Sequence, residues 1–247
     1  MTDLSKSPAR IAGMFDAIAA RYDLLNHLLS AGIDRRWRTR AIRSLSLTGR
    51  ERVLDLCTGT ADLAIAAIDA RPAAARVVGV DFAPAMLRVG QEKVRRRRLA
   101  DRIALVHGDA MRIPLRDNAV DAVTVAFGVR NVEHTAAACD EMRRVLAPGG
   151  RVAVLEFAIP TLRGVRTLYL WYFNRVLPRI GRLISRHSAA YGYLPASVVA
   201  FASPDEFVTI LQQRGFVDVR AVRLTFGIAF LYTARRGESM PFVVELR

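Results

Sequence analysis

The chain has 247 residues, 52% of them hydrophobic, which is enough for one α/β domain with a full core. Its formal net charge of +14 favours an anionic partner, either nucleic acid or an anionic membrane surface, although an arginine-rich coding bias would give the same composition. Two cysteines without metal-ligand or C-x-x-C spacing argue against a disulfide-rich secreted protein and predict a cytoplasmic location without a metal site.

The first two thirds of the chain predict a helical cap and then alternating strands and helices. Apolar residues recur at helical spacing over residues 10–45. The strands predicted over residues 51–157 are Arg52–Cys57, Arg76–Val80, Arg102–Val106, Val120–Phe127 and Arg151–Phe157. The helices predicted between them are Asp62–Asp69, Pro84–Arg98 and Thr135–Leu146. This alternation implies right-handed crossovers and a mainly parallel sheet that is covered on both faces.

Residues 160–201 interrupt the alternation with an arginine-rich, aromatic segment. Such a segment suits a helical lid or a surface on anionic lipid, while a crossover helix with its arginines in water fits the pattern equally well. Its arginines are Arg163, Arg166, Arg175, Arg179, Arg182 and Arg186. Residues 204–234 then predict a helix, Pro204–Arg214, and an antiparallel hairpin, Val217–Leu224 with Ile228–Thr233. The whole chain, 1–247, is expected to be a single domain.

The stretch VLDLCTGTADLA, Val53–Ala64, predicts a strand, a tight turn and a helix. A dinucleotide site needs G-x-G-x-x-G at such a turn, and only Gly59 is present, so a pyrophosphate cradle is weakly supported. Asp55 lies at the strand end and Asp62 opens the helix. Asp81 follows Gly59 by 22 residues, close to the spacing that places an acid on a ribose diol. A nucleoside without a diphosphate is therefore predicted.

A third acid sharpens this prediction. Asp109 and Ala110 follow the third strand, where a carboxylate and a backbone amide can contact an adenine edge. Each acid alone is ordinarily a helix cap or a turn residue. Three acids at successive strand ends, however, meet at the crevice where open sheets bind ligands, and they would attract a sulfonium. The sequence predicts S-adenosyl-L-methionine (SAM) as the cofactor.

Several longer motifs resemble a known family. They are YDLLNHLLSAGIDRRW (Tyr22–Trp37), FGVRN (Phe127–Asn131), RVLAPGGRVAVLEF (Arg144–Phe157) and the C-terminal segments YGYLPASVVAFASPDEFVTILQQRGF and LTFGIAFLY. On these residues the chain resembles the ubiquinone/menaquinone biosynthesis C-methyltransferase family, from about Phe15 to Thr233. The resemblance implies a class I SAM-dependent methyltransferase (Rossmann-like) α/β fold with a mainly parallel seven-stranded sheet, a C-terminal antiparallel hairpin, N-terminal helices and a helical lid insertion.

The resemblance also implies a reaction and a set of site residues. The expected reaction is methylation of the ring of a prenylated hydroquinone, demethylmenaquinol to menaquinol. Arg130 and Asn131 are the candidate catalytic residues, with an ion pair between Arg130 and Glu133 as the structural alternative. The candidate cofactor-binding residues are Tyr22, Asp55, Thr58, Gly59, Thr60, Asp62, Asp81, Phe82, Met86, Asp109, Ala110 and Ala126.

Some positions depart from the family pattern and keep other functions open. They are Ala61, Ala126, Ala158, Phe226 and Tyr232. They allow a ubiquinone-pathway quinol or an aromatic natural product as the acceptor. An RNA methyltransferase is disfavoured because AFGVRN stands where an N-P-P-[FYW] motif would follow the fourth strand, so no nucleic acid is expected. A non-catalytic SAM-binding protein is the remaining alternative.

A prenylated acceptor resides in the bilayer, which predicts peripheral association with an anionic membrane surface. The region Leu168–Ile180 is the candidate for an apolar tunnel. Lys93–Arg98 is either a further lipid contact or a solvated helix face. A homodimer is also compatible with the sequence.

Overall fold

The computed structural model describes residues 6–30, 32–70, 76–176 and 188–237. The helices are α1 (Pro8–Leu29), α2 (Ile33–Ser44), α3 (Asp62–Ala70), α4 (Pro84–Arg96), α5 (Thr135–Val145), α6 (Arg163–Trp171), α7 (Ser188–Ala200) and α8 (Pro204–Gln213). The strands are β1 (Arg52–Leu56), β2 (Arg76–Asp81), β3 (Ile103–His107), β4 (Val120–Ala126), β5 (Leu146–Phe157), β6 (Phe216–Leu224) and β7 (Ala229–Arg236).

The described strands form one seven-stranded sheet in the order β3-β2-β1-β4-β5-β7-β6. Strands β1 to β5 are parallel to one another, and β7 is antiparallel to both β5 and β6. The order reverses between β1 and β4, which opens a crevice at the carboxyl ends of these strands. The prediction of a mainly parallel sheet with a C-terminal hairpin is confirmed.

Apolar side chains cover both faces of the sheet. Val53 belongs to a cluster that includes α2 and α3, whereas its neighbour Leu54 belongs to a cluster that includes α5 and α8. Successive strand residues point to opposite faces, so two buried neighbours require a layer of helices on each side. The core is thus a three-layer arrangement that fixes the strand ends of the crevice.

The start of β5 differs from the sequence prediction. Helix α5 ends at Val145, but the chain is extended from Leu146, which pairs with Val120. The register shifts between Val120 and Ala122, so the residues up to Gly150 form an irregular first part of the strand. A strand start at Arg151 was therefore wrong, because the APGG turn residues are absorbed by this bulge rather than by a loop.

The segment after β5 presents apolar residues to solvent. Helix α6 buries Tyr169 but leaves Leu168 and Trp171 65% and 56% exposed. Of the helices that the structure describes, none alone is long and apolar enough to cross a membrane, although the bent pair Tyr193–Ala200 and Pro204–Gln213 passes that test. Leu177, Arg179, Ile180, Arg182 and Arg186 of the predicted lid lie outside the described residues.

Candidate cofactor and acceptor site

The turn after β1 is organised by a buried carboxylate. Asp55 is 1% exposed and accepts hydrogen bonds from the Thr58 hydroxyl (2.6 Å) and the Thr124 hydroxyl (3.0 Å). Burial raises the pKa of Asp55 to about 6, against the opposing effect of these hydrogen bonds. The Asp55 carboxylate thus fixes the shape of the turn from inside the protein.

The same turn uses the left-handed region of the backbone at several positions. Cys57, Gly59 and Ala61 have φ angles of +54°, +55° and +66°. A Cβ in this conformation costs about 1–2 kcal/mol, which Gly59 avoids and Ala61 does not. Ala61 is fully buried in the core, and a Cβ built on Gly90 of α4 would lie 3.3 Å from the Ala61 methyl. The Ala61 side chain occupies space that Gly90 leaves open.

Asp81 closes the turn from the end of β2. Its two carboxylate oxygens accept the backbone N–H groups of Gly59 (2.8 Å) and Ala83 (2.9 Å). Burial raises the pKa of Asp81, and the hydrogen bonds from Ala83 and Gly59 oppose this shift. Each oxygen of an ionised carboxylate can accept more than one hydrogen bond, so Asp81 retains acceptor capacity for two further hydroxyl groups.

The predicted acids converge around one residue, Cys57. Burial raises the pKa of the Cys57 thiol well above its ordinary value, and the charges of Asp81, Asp55, Glu156 and Asp109 raise it further. Asp109 accepts the backbone N–H of Met111 at 2.8 Å, directly beyond the buried Ala110. The ends of β1, β2 and β3 therefore bring their acids to a common, negatively charged crevice.

A cluster of charges holds helix α1 against the turn. Lys93 of α4 contacts Asp23 of α1 (2.6 Å) and Asp62 of α3 (2.5 Å) and donates to the Thr60 hydroxyl (3.0 Å). The Thr60 hydroxyl in turn donates to Asp23. The solvated helix face predicted for Lys93–Arg98 holds for the arginines of this run, which are exposed, but not for Lys93, which lies at the meeting point of three elements. We call Asp23, Thr60, Asp62 and Lys93 the clasp.

Apolar contacts extend the attachment of α1. Tyr22 packs on a cluster that contains Met86, and the Phe15 and Tyr22 rings meet edge to face at 6.0 Å. Asp16 of α1 accepts the Ala85 backbone N–H at 2.7 Å and so satisfies an amide in the first turn of α4. Helix α1 therefore covers the start of α4.

Two further predicted residues lie at strand ends of the crevice. Phe82, which follows β2, is partly buried, and its carbonyl lies 3.1 Å from His107 Nε2. Ala126 is partly buried at the end of β4. Both therefore lie at the carboxyl ends of the two strands that pair with β1.

Arg130 is buried beside the end of β4. Its Nη1 donates to Glu156 Oε1 at 2.7 Å, and its backbone N–H donates to Glu156 Oε2 at 3.2 Å. Nη1 also donates to the Phe127 carbonyl and Nε to the Ser197 hydroxyl. Among the described residues Nη2 has no hydrogen-bond partner. The alternative of an ion pair with Glu133 was wrong, since the partner is Glu156.

Aromatic rings line the approach to Arg130. The Phe127 and Phe157 rings stack at 4.2 Å, Trp37 meets Phe157 edge to face, and the Arg130 guanidinium lies 5.5 Å from the Phe157 centroid. Asn131 is 6% exposed, and within the described chain its Oδ1 atom is buried without a hydrogen-bond partner. An arginine donor, an amide acceptor and flat apolar rings thus occur together, a combination suited to an aromatic molecule with oxygen substituents.

Sequence reasoning missed two groups. Glu156 is fully buried and holds Arg130, and the signal was a lone acid inside the apolar strand VAVLEF, which requires a buried partner. The pairing of Lys93 was not predicted, because Lys93 belongs to a run of cations whose other members are exposed to solvent. Tyr232, one of the family departures, packs in the core against Phe207 rather than in the crevice.

Comparison with known proteins decides the family. Residues 1–236 match the model of the ubiE/COQ5 methyltransferase family. This chain belongs to that family. A Geobacter sp. (strain M21) member, "Ubiquinone/menaquinone biosynthesis C-methyltransferase UbiE", is 47% identical over 96% of this chain and 100% of its own length. "Demethylmenaquinone methyltransferase" of Thermus thermophilus is 47% identical over 90% of this chain and 100% of its own.

Solved structures agree on the fold of this family member. A SAM-dependent methyltransferase from Aquifex aeolicus aligns with a TM-score of 0.59 at 19% identity, over 81% of this chain and 89% of its own. The [4+2]-cyclase SpnF aligns with a TM-score of 0.69 at 17% identity, over 96% and 99%. Such low identities establish the architecture only. Family and fold together make the chain a SAM-dependent C-methyltransferase, and the acid-lined crevice fits a cofactor with a ribose diol and a sulfonium.

Proposed function

We propose that this chain methylates a ring carbon of a prenylated hydroquinone, converting demethylmenaquinol to menaquinol. The names of the relatives from Thermus thermophilus and Lactiplantibacillus plantarum support this acceptor. The observation that carries the proposal is the environment of Arg130. This buried cation is paired with Glu156 and lies beside the stacked rings of Phe127 and Phe157, and its Nη2 has no hydrogen-bond partner among the described residues. Such an arrangement suits a flat ring that bears an oxyanion.

The cofactor side follows from the acids. Asp81 binds the ribose hydroxyls, and Asp109 with the Ala110 amide contacts the adenine. Asp55, Thr58 and Gly59 shape the turn, while Tyr22, Phe82, Met86 and Ala126 line the cofactor. Thr60 and Asp62 act through the clasp, which keeps α1 over the site. SAM supplies an electrophilic methyl group when it is bound.

The acceptor must be the reduced quinol. A ring carbon beside a phenolate is nucleophilic, whereas the corresponding quinone carbon is not. Methyl transfer breaks the sulfur–methyl bond, forms a carbon–carbon bond and releases the ring proton to solvent. Arg130 favours the phenolate electrostatically, and Asn131 orients the ring through its amide. Holding carbon, methyl and sulfur in line supplies about 7–11 kcal/mol in favourable cases.

A benzoquinol of the ubiquinone pathway is the second candidate, because several relatives carry both quinones in their names. A competition assay separates the two. The enzyme is given equal amounts of reduced demethylmenaquinone and reduced demethylated benzoquinone with the same tail, and the products are separated by mass. We expect kcat/KM to favour the naphthoquinol by at least about tenfold; the reverse preference would assign the benzoquinol.

Helix α6 is the proposed contact with the membrane. It exposes the apolar Leu168 and Trp171, with the exposed Leu162 directly before it, next to the exposed cations Arg163 and Arg166. Cations that flank exposed apolar side chains are typical of helices that lie in the interface of an anionic bilayer. Each basic residue near such a surface contributes about 1 kcal/mol. Contact through α6 would hold the protein at the bilayer in which its acceptor resides.

Co-sedimentation with vesicles of anionic phospholipid tests this contact. The double variant Leu168→Ser/Trp171→Ser should lose at least half of the vesicle-bound fraction, and Arg163→Gln/Arg166→Gln should weaken binding and lower its sensitivity to salt. Val199→Ser, which changes an equally exposed apolar residue on α7, is the matched control. Equal binding by all variants would refute the assignment. The homodimer stays a prediction, which sedimentation velocity can measure.

A further inference from the structure

One buried hydroxyl near Arg130 has no role in the fold. Tyr193 of α7 is 3% exposed, and within the described chain its hydroxyl oxygen is buried without a hydrogen-bond partner. Buried polar groups in native proteins are almost always hydrogen-bonded, because leaving one unpaired costs free energy. A phenylalanine would pack in this position without that cost. The hydroxyl therefore calls for an explanation other than stability.

Tyr193 lies close to Arg130, the residue proposed to bind the acceptor. Ser197, one helical turn further along the same face of α7, accepts a hydrogen bond from Arg130 Nε at 3.3 Å. The guanidinium of Arg10 in α1 lies 6.0 Å from the centroid of the Tyr193 ring. Tyr193 is thus held between the start of α1 and the turn that carries Arg130.

Cations dominate the surroundings of the hydroxyl. Burial raises the pKa of Tyr193, the charges of Arg130 and Arg10 oppose this shift, and Glu156 adds to it. Lys6 interacts with the same pair, because burial and then Arg130 lower its pKa while Glu156 raises it. At Tyr193, Arg130 and Arg10 face one carboxylate, and that carboxylate is already bound to Arg130. The missing partner of the Tyr193 hydroxyl is accordingly an oxygen that carries negative charge.

We propose that Tyr193 is an acceptor-binding residue whose hydroxyl donates a hydrogen bond to the same ring oxygen that Arg130 stabilises as a phenolate. This inference rests on the proposed function, since it assigns a further contact to the acceptor. The phenol O–H of Tyr193 stays protonated and donates, while the proton of the acceptor leaves to solvent. Two donors on one oxygen would stabilise the phenolate more than Arg130 alone.

Tyr193→Phe is the test, with Tyr232→Phe as a matched control that removes a hydroxyl from a tyrosine in the core. A charge-assisted hydrogen bond to the phenolate corresponds to about tenfold in affinity, or about one pH unit. Tyr193→Phe should raise KM for the reduced quinol about tenfold and move the acidic limb of the kcat profile, which reports ionisation in the bound complex, up by about one pH unit. SAM affinity should stay unchanged.

The melting temperature of the variant distinguishes an acceptor-binding role of Tyr193 from a structural role. Because the hydroxyl is unpaired in the fold, Tyr193→Phe should melt at the same temperature as the wild type or above it. A lower melting temperature with unchanged KM and pH profile would overturn the inference and make Tyr193 a structural residue.

A binding measurement keeps the inference independent of turnover. 1-Naphthol, whose phenolate absorbs at longer wavelength than the phenol, is titrated with pH in the presence of protein loaded with S-adenosyl-L-homocysteine, the product that SAM leaves after methyl transfer, and its absorption spectrum is recorded. Bound naphthol should ionise about one pH unit lower in the wild type than in Tyr193→Phe. Equal ionisation in both proteins would refute the contact. If the wild type methylates no quinol but the naphthol shift is present, the proposed function fails while the phenol contact stands.

Discussion

Arg130 and Glu156 form a salt bridge of 2.7 Å in which both side chains are withdrawn from solvent, with exposures of 5% and 0%. The carboxylate also accepts the backbone N–H groups of Arg130 and Phe157. The pair therefore holds the guanidinium and the turn after β4 in one geometry. Buried charges of this kind stabilise a protein little by themselves, but breaking the pair is costly.

Removing one partner of this pair should show both effects. Glu156→Ala leaves a buried, uncompensated arginine and should lower the free energy of unfolding by about 3–5 kcal/mol. The matched control is Asp121→Asn, which breaks the exposed pair with Arg52 and should cost less than about 1 kcal/mol. Urea unfolding measures both variants. Equal costs for the two variants would contradict the role assigned to Glu156.

The clasp should govern cofactor affinity. Asp23→Asn removes one carboxylate from Lys93, and a partly exposed pair of this kind contributes up to about 1 kcal/mol, which is about fivefold in Kd. We expect calorimetry to show SAM binding weakened by about that factor, with a similar loss in high salt. Glu92→Gln, which removes an exposed carboxylate from α4, the helix of Lys93, should bind SAM as the wild type does. A wild-type Kd for Asp23→Asn would show that α1 does not retain the cofactor.

Backbone strain predicts a stabilising substitution. Phe226 has a φ of +57° and is 66% exposed. Phe226→Gly removes a strain of about 1–2 kcal/mol and gives back part of it as chain entropy. We expect a gain of about 0.5–1 kcal/mol in thermal unfolding. Phe226→Ala keeps the Cβ and should gain nothing; equal gains in both variants would exclude backbone strain as the cause.

Glu51 should control stability in acid. Burial opposes its ionisation, but hydrogen bonds from Thr48 and the Gly49 amide outweigh burial and lower its pKa to about 2. Because the folded-state pKa lies below the unfolded one of about 4.5, ionised Glu51 contributes about 3 kcal/mol above pH 4.5. This contribution is lost as the pH falls towards 2. The difference in unfolding free energy between wild type and Glu51→Gln should shrink over that window, and a constant difference would contradict it.

The sequence predicted the sheet and the acids because both are local. Apolar strands can be recognised from their composition. Once the strand order is known, an acid at a strand end, such as Asp81, can be assigned to the crevice. The partners of Lys93 and Arg130 could not be predicted. They depend on how α1 and β5 pack against elements that are far away in the chain. Residue type alone does not distinguish a cation that is paired in the interior from one that is solvated.

Methyl transfer from SAM to a reduced, prenylated quinol can be followed by the fate of the methyl group. The enzyme is incubated with methyl-labelled SAM and a lipid extract kept reduced, and the labelled product is identified by mass. The labelled product should be a menaquinol that is heavier than its precursor by one labelled methyl group, formed only from the reduced extract and absent with the Arg130→Lys variant. Label in RNA or in a lipid without a quinone ring, with none in quinol, would contradict it.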